Sequence, residues 1–110
     1  MRPRLKAGIF VRALIRRVEV AGAHAYVVKK GAEEAGAVFL KIARLDGTCF
    51  VLNQVRRGDG ELAWMRPLGE SADEEAANAY FEKQRKFDPD LWIVEIEDRE
   101  GRTFVDEPVV

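Results

Sequence analysis

The chain has 110 residues, about the length of one domain. Its 47% hydrophobic and 34% charged residues are typical of a folded protein and too apolar for a disordered one. One cysteine, Cys49, and one histidine, His24, exclude a disulfide framework and a Cys/His zinc site. No apolar run approaches the roughly 20 residues that span a bilayer, and Arg12 and Arg16 interrupt the apolar stretch that a secretory signal would need. We therefore expect a single cytoplasmic domain over residues 1–110.

The net charge of −1 conceals an uneven distribution. Residues 1–30 carry eight Lys or Arg against one acid, whereas residues 31–110 carry ten bases against eighteen acids. Such a division indicates either a surface for an anionic partner or two complementary faces of one domain. We favour the second in so short a chain. The isoelectric point near 5.9 also argues against a dedicated nucleic-acid-binding domain.

The first predicted element is a helix over residues 9–21. Its apolar residues recur at i, i+3, i+4 and i+7, the spacing of one helical face: Val11, Leu14, Ile15 and Val18. Arg12 and Arg16 share the opposite face, and Gly22 is suited to the left-handed conformation that ends many helices. The β-branched residues around Val18 leave a strand as the alternative.

Short strands separated by turns are predicted next, arranged as an antiparallel meander. They lie at residues 25–29, 37–44, 48–55 and 62–68. Asp46-Gly47 is typical of a type I′ hairpin turn, which requires positive φ at both central residues. Pro67 cannot donate a backbone hydrogen bond, so the end of the 62–68 strand is expected at a sheet edge or outside the sheet.

A second helix is predicted to begin with a capping box. In this motif Ser71 accepts a hydrogen bond from the amide of Glu74, and the Glu74 side chain bonds back to the Ser71 amide. Acids in the first turn and bases in the last turn both suit the helix dipole. The predicted buried stripe comprises Ala77, Tyr80, Phe81, Gln84 and Phe87. Pro89 is expected to end the helix.

The last strand is predicted over residues 91–97, with Trp92, Val94 and Ile96 on one face and Trp92 in the core beneath the second helix. Residues 103–105 are expected to pair back, before a polar tail from about residue 106. The prediction is an α+β fold: an N-terminal helix, an antiparallel β meander, a second helix and a last strand or hairpin, with the helices packed on one sheet.

Two segments resemble a known family: residues 36–48, GAVFLKIARLDGT, and residues 82–101, EKQRKFDPDLWIVEIEDREG. They are similar to domain-of-unknown-function family fourteen-ninety-one, small proteins mostly of alphaproteobacteria. The likeness covers nearly the whole chain, and its FDPDLW block is fairly specific. The resemblance implies a single domain in the bacterial cytoplasm and supplies no catalytic or binding residue.

Nucleophilic catalysis has little support in the sequence. Ser71 is the only serine, and its context favours a helix cap. A free cysteine such as Cys49 is commonly a small buried hydrophobe. A Cys49–His24 pair would require the two residues to lie on adjacent strands. We therefore predict no catalytic residue and expect the protein not to be an enzyme.

Acid–base or metal chemistry would have to use the carboxylates near the C-terminus: Asp88, Asp90, Glu95, Glu97 and Asp98. Glu95 and Glu97 share one strand face, because alternate residues of a strand point the same way. No calcium-loop spacing accompanies them, and Asp88 and Asp90 suit a turn around Pro89. We predict no metal and no cofactor.

The remaining candidate site is basic. Arg12, Arg16 and Arg17, with Arg2, Arg4 and Lys6, offer guanidinium groups that match phosphate or carboxylate geometry. The alternative is a solvated helix face or pairing with the protein's own acids.

We predict a non-enzymatic protein-interaction module with no membrane contact, binding a protein partner or forming a homodimer through a sheet edge or exposed apolar patch. Accessory binding of nucleic acid or an acidic partner through the first helix is the alternative, and a small enzyme using the acidic cluster is the weaker one.

Overall fold

A computed structural model describes residues 5–110. In chain order its elements are helix α1 (Ala7–Val20), strands β1 (His24–Lys29), β2 (Val38–Ala43), β3 (Cys49–Arg56) and β4 (Leu62–Met65), helix α2 (Glu74–Phe87) and strand β5 (Trp92–Glu97). These elements form one five-stranded mixed sheet with the helices packed on it, which confirms the predicted α+β fold. Neither helix of residues 5–110 is long and apolar enough to cross a membrane.

The strand order is β1-β5-β2-β3-β4. Strands β2, β3 and β4 form the predicted antiparallel meander. The expectation that β1 continues this meander is wrong, because β5 lies between β1 and β2, antiparallel to the first and parallel to the second. The burial pattern agrees with this order, since β5 lies between two strands and is buried on both faces, whereas most of β1 is exposed, as is common for an edge strand.

Helix α1 covers one face of the sheet. Val11, Leu14 and Val18 are its buried apolar face, as the spacing predicts. Gly22 has φ of +87° and follows the helix in the left-handed conformation expected of it. Below α1 lies the larger core, which includes Val38, Leu40, Ile42, Phe50, Leu52, Trp64, Trp92, Val94 and Ile96.

Helix α2 covers part of the opposite face through Ala77 and Phe81. The expected position of Trp92 beneath α2 is wrong, because its side chain is buried on the α1 side of the sheet. Both faces of β5 are buried, and successive residues of a strand point to opposite faces. Phe87, the last residue of α2, is 76% exposed and so does not belong to the predicted buried stripe.

The N-cap of α2 is Asp73 rather than Ser71. The Asp73 carboxylate accepts a hydrogen bond of 2.8 Å from the Ala76 amide. Ser71 cannot take this role, because the next residue, Ala72, is held in an extended bridge by two backbone hydrogen bonds with Cys49. The bridge delays the start of the helix until Glu74.

We expect Asp73→Ala to lower the free energy of unfolding by about 1 kcal/mol, the usual contribution of an N-cap. Ser71→Ala is the matched control, and we expect it to change stability little because Ser71 is exposed. Urea unfolding of both variants measures the difference. A larger loss for Ser71→Ala than for Asp73→Ala would contradict this cap assignment.

The β2–β3 hairpin is present, but its turn differs from the predicted type I′. Positive φ occurs at Leu45 and Gly47 and not at Asp46. The Asp46 carboxylate instead accepts hydrogen bonds from the Thr48 amide and hydroxyl. This local bond stabilises a longer turn closed by the Arg44 amide and the Thr48 carbonyl, 3.1 Å apart.

The C-terminal segment does not pair back on β5, so the strand expected at residues 103–105 is wrong. The chain continues to the opposite edge of the sheet, at β4. There the Trp64 amide donates to the Pro108 carbonyl (2.9 Å), and the Val110 amide donates to the Trp64 carbonyl (2.8 Å). Strand β4 is an edge strand that ends before Pro67, as expected. The tail therefore covers the β4 edge.

Candidate functional site

The three arginines predicted to bind an anionic partner all lie on the exposed side of α1. Arg12 is ion-paired with Glu33, with 2.6 Å between Nη2 and Oε1. The Arg17 guanidinium donates to the Phe104 carbonyl and lies 3.7 Å from Asp106. Arg16 makes no ion pair within residues 5–110. Two of the three thus contact the chain's own acidic half.

The same pairing extends to the start of the helix. Lys6 lies 3.5 Å from a Glu34 carboxylate oxygen, and the hydrogen bond from Arg12 lowers the pKa of Glu33. Arg2 and Arg4 of the predicted basic group lie outside the described residues.

We expect Arg12→Ala combined with Arg16→Ala to lower the free energy of unfolding by no more than about 1 kcal/mol, since exposed ion pairs contribute little. We also expect no duplex DNA binding by the parent protein at low salt, measured by fluorescence anisotropy. Binding that the double substitution weakens, with log affinity falling linearly with log salt, would instead show that this face recognises phosphate.

Two of the acidic candidates, Glu95 and Asp98, are engaged in contacts within the protein. Glu95 accepts a hydrogen bond from the Tyr26 hydroxyl (2.8 Å) and lies 3.4 Å from the Lys41 ammonium. Asp98 is buried and ion-paired with Arg102 at 2.8 Å. Within residues 5–110 no three His, Cys, Asp or Glu side chains are grouped closely enough to hold a metal ion.

Lys41 is the one buried lysine of the described chain and was missed as a candidate. Its side chain is 7% exposed and contacts both Glu95 and Glu74. Burial opposes the ammonium charge, but the Glu74 hydrogen bond and the Glu95 charge outweigh it and raise the pKa of Lys41. The available signal was a lone lysine in the apolar run Val38–Ala43, all of which is buried. We refer to Tyr26, Glu95, Lys41 and Glu74 as the polar row.

The polar row has the character of a structural ion-pair network. Tyr26, Glu95 and Lys41 are direct cross-strand neighbours on β1, β5 and β2. Burial, followed by the bond to Glu95, raises the pKa of Tyr26, so its hydroxyl stays protonated and donates at neutral pH. Each charge faces an opposite charge or a donor, which stabilises the arrangement without activating any member as a base.

The candidate nucleophile pair is not assembled. His24 lies on β1 and Cys49 on β3, and the sheet places β5 and β2 between them. Cys49 is buried beneath α2, where burial raises the pKa of its thiol. A protonated, inaccessible thiol is a packing residue.

The two edges of the sheet differ. The C-terminal tail covers β4, whereas within residues 5–110 no strand pairs with the outer side of β1. Three consecutive apolar residues of β1, Tyr26, Val27 and Val28, are 46%, 40% and 53% exposed. We call these three residues the β1 edge. A register shift between Val27 and Lys29 bulges the strand at Val28.

Comparisons with known proteins agree with this architecture. A family model described as "Protein of unknown function (DUF1491)" matches residues 5–106. A crystal structure of a DUF1491 family protein from Caulobacter crescentus CB15 is 48% identical, with a TM-score of 0.90, covering 97% of this chain and all of that one. The solution structure of protein Atu0922 from A. tumefaciens is 39% identical, with a TM-score of 0.80, covering 98% and 100%. No curated protein sequence is similar enough to count as a match.

Proposed function

The chain belongs to the DUF1491 family, and we propose that it is a non-enzymatic protein-interaction module of the bacterial cytoplasm that binds through the β1 edge. The similar structures come from bacteria, which supports a bacterial origin for this protein. A role without catalysis is supported by the internal ion pairs of Lys41, Glu95 and Asp98, which leave none of the three as a free general acid or base.

Within residues 5–110 no strand or tail segment pairs with the outer side of β1, and this observation carries the proposal. Edge strands present unpaired backbone amides and carbonyls, and folded proteins usually protect them with charges, prolines or a covering segment. This fold covers β4 with its tail but leaves an uncharged apolar triplet on β1. An added strand would satisfy the backbone groups and bury the three side chains.

A second copy of the chain is the occupant that the edge fits best. Residues 25–28 are uncharged throughout, so antiparallel pairing of two β1 strands brings apolar side chains together without opposing like charges. The net charge of −1 gives little long-range repulsion between copies. The bulge at Val28 limits regular pairing to residues 24–27.

Sedimentation velocity over a range of protein concentrations tests the proposal. We expect a concentration-dependent dimer for the parent chain and a monomer for Val27→Lys, because Val27 is 40% exposed before the bulge and an edge lysine opposes strand addition. Met65→Lys is the matched control on the covered β4 edge, since Met65 is 47% exposed, and it should still dimerise. A parent that stays monomeric, or a dimer that survives Val27→Lys, would rule out pairing through β1.

Binding of nucleic acid or an acidic partner through α1 is the second candidate. Arg16 favours it, because this exposed guanidinium has no acidic partner within residues 5–110. The pairing of Arg12 and Arg17 with Glu33 and Asp106 weighs against it. The salt-dependence experiment with the Arg12→Ala, Arg16→Ala variant distinguishes binding through α1 from pairing through the β1 edge.

A further inference from the structure

We propose that a cavity beside the N-terminal end of α1 binds a small organic cation with an apolar body. The cavity has a volume of about 320 Å³ and lies where α1, the segment before β2, the β3–β4 turn and the C-terminal tail meet. This volume is at the lower end of the range for small-molecule pockets. The site is separate from the β1 edge, because β1 and β4 are the two opposite edge strands of the sheet and the cavity lies near β4.

The apolar side of the cavity is preformed. Phe10 lines it, and its ring stacks on the buried Trp64 with 5.9 Å between ring centroids. Val38 and Leu62 complete this side from the adjoining strands. The stacked ring and the two strand residues give a ligand's apolar body a rigid surface, and an aromatic face also attracts a cation.

The charged groups around the cavity favour a positive ligand. Among the described residues, Glu34, Glu61 and Glu107 line it together with the guanidinium of Arg56, and Glu34 is ion-paired with Lys6. Glu107 is held in place by the Trp64 indole, which donates from Nε1 to Oε1 over 3.0 Å and leaves the second carboxylate oxygen for another donor. Glu61 has no ion-pair partner within residues 5–110.

The amides at the helix end that would attract an anion are already paired. The Ala7 and Gly8 amides at the start of α1 donate to the carbonyls of Glu34 and Glu33, at 3.3 and 2.8 Å. The helix end therefore offers little to a phosphate or carboxylate. The Arg56 guanidinium keeps its charge while it donates to the Gly60 carbonyl, but among the described lining residues Glu61 and Glu107 together outnumber it, so the charge facing the cavity is negative.

Titration of the ¹⁵N-labelled full chain with three probes of matched shape tests the proposal: 2-phenylethylamine, 2-phenylethanol and phenylacetate. We expect saturable shifts of the Ala7, Ala35 and Leu62 amides with the ammonium probe, weaker binding of the alcohol and none of the carboxylate. Added salt should weaken the ammonium binding, since part of it is electrostatic.

Two substitutions locate the binding. Glu61→Gln and Glu107→Gln should each weaken binding of the ammonium probe about two- to fivefold, the effect of one partly exposed charge pair. The glutamine oxygen at position 107 can still accept the Trp64 hydrogen bond. Glu75→Gln, an exposed residue on α2, is the control and should change nothing. Absence of saturable shifts up to about 10 mM probe, equal binding of phenylacetate, or equal affinity of all three variants would overturn the proposal.

Discussion

Trp92→Ala is expected to lower the free energy of unfolding by about 3–5 kcal/mol, the usual cost of truncating a large buried aromatic residue. Trp92 is 3% exposed within the α1-side core. Its indole Nε1 donates to the Ala32 carbonyl over 2.7 Å, so the substitution removes a hydrogen bond that anchors the segment before β2 as well as leaving a cavity.

Urea unfolding followed by circular dichroism measures this loss. Phe87→Ala is the matched control, because Phe87 is an aromatic residue close in sequence to Trp92 that is 76% exposed. We expect its effect to stay within about 0.5 kcal/mol, as for other surface substitutions. Similar stabilities for the two variants would place Trp92 outside the core.

Lys41→Met is expected to cost about 2–3 kcal/mol, although methionine is the more apolar residue. The substitution leaves the Glu95 carboxylate, 14% exposed, without the cation that faces it. Removing one partner of a buried ion pair is strongly destabilising, and the partial exposure of Glu74 reduces the effect here.

The double variant Lys41→Met, Glu95→Gln isolates the interaction. We expect it to be more stable than the sum of the two single losses predicts, because it leaves no uncompensated charge. Lys83→Met, on the exposed side of α2, is the control for loss of a lysine elsewhere. Additive losses at positions 41 and 95 would show that the two residues do not interact.

Elements with a strong local signal were predictable from the sequence. The spacing of Val11, Leu14 and Val18 determines both the existence of α1 and the face it buries. Alternation along β5 correctly placed Trp92, Val94 and Ile96 on one face, because side-chain direction in a strand depends only on parity. Proline and glycine likewise marked the ends of β4 and α1.

Assignments that depend on distant residues failed or went unnoticed. Ser71 matches the capping pattern, yet a bridge between Ala72 and Cys49 moves the cap to Asp73. The polar row joins residues as far apart as Tyr26 and Glu95, so no local pattern could assemble it. The same holds for the cavity, whose lining residues, among them Phe10, Glu61 and Glu107, come from four distant segments.

The sequence by itself determined the two helices, the β2–β4 meander and the parity of β5, since all of these follow from periodicity and turn chemistry within a few residues. Tertiary structure decided which face of the sheet each helix covers, the insertion of β5 between β1 and β2, and the path of the tail along β4. These three features depend on the free energy gained by burying whole faces of the sheet and by pairing strand edges. That gain requires segments that are distant in sequence to come together in the folded chain.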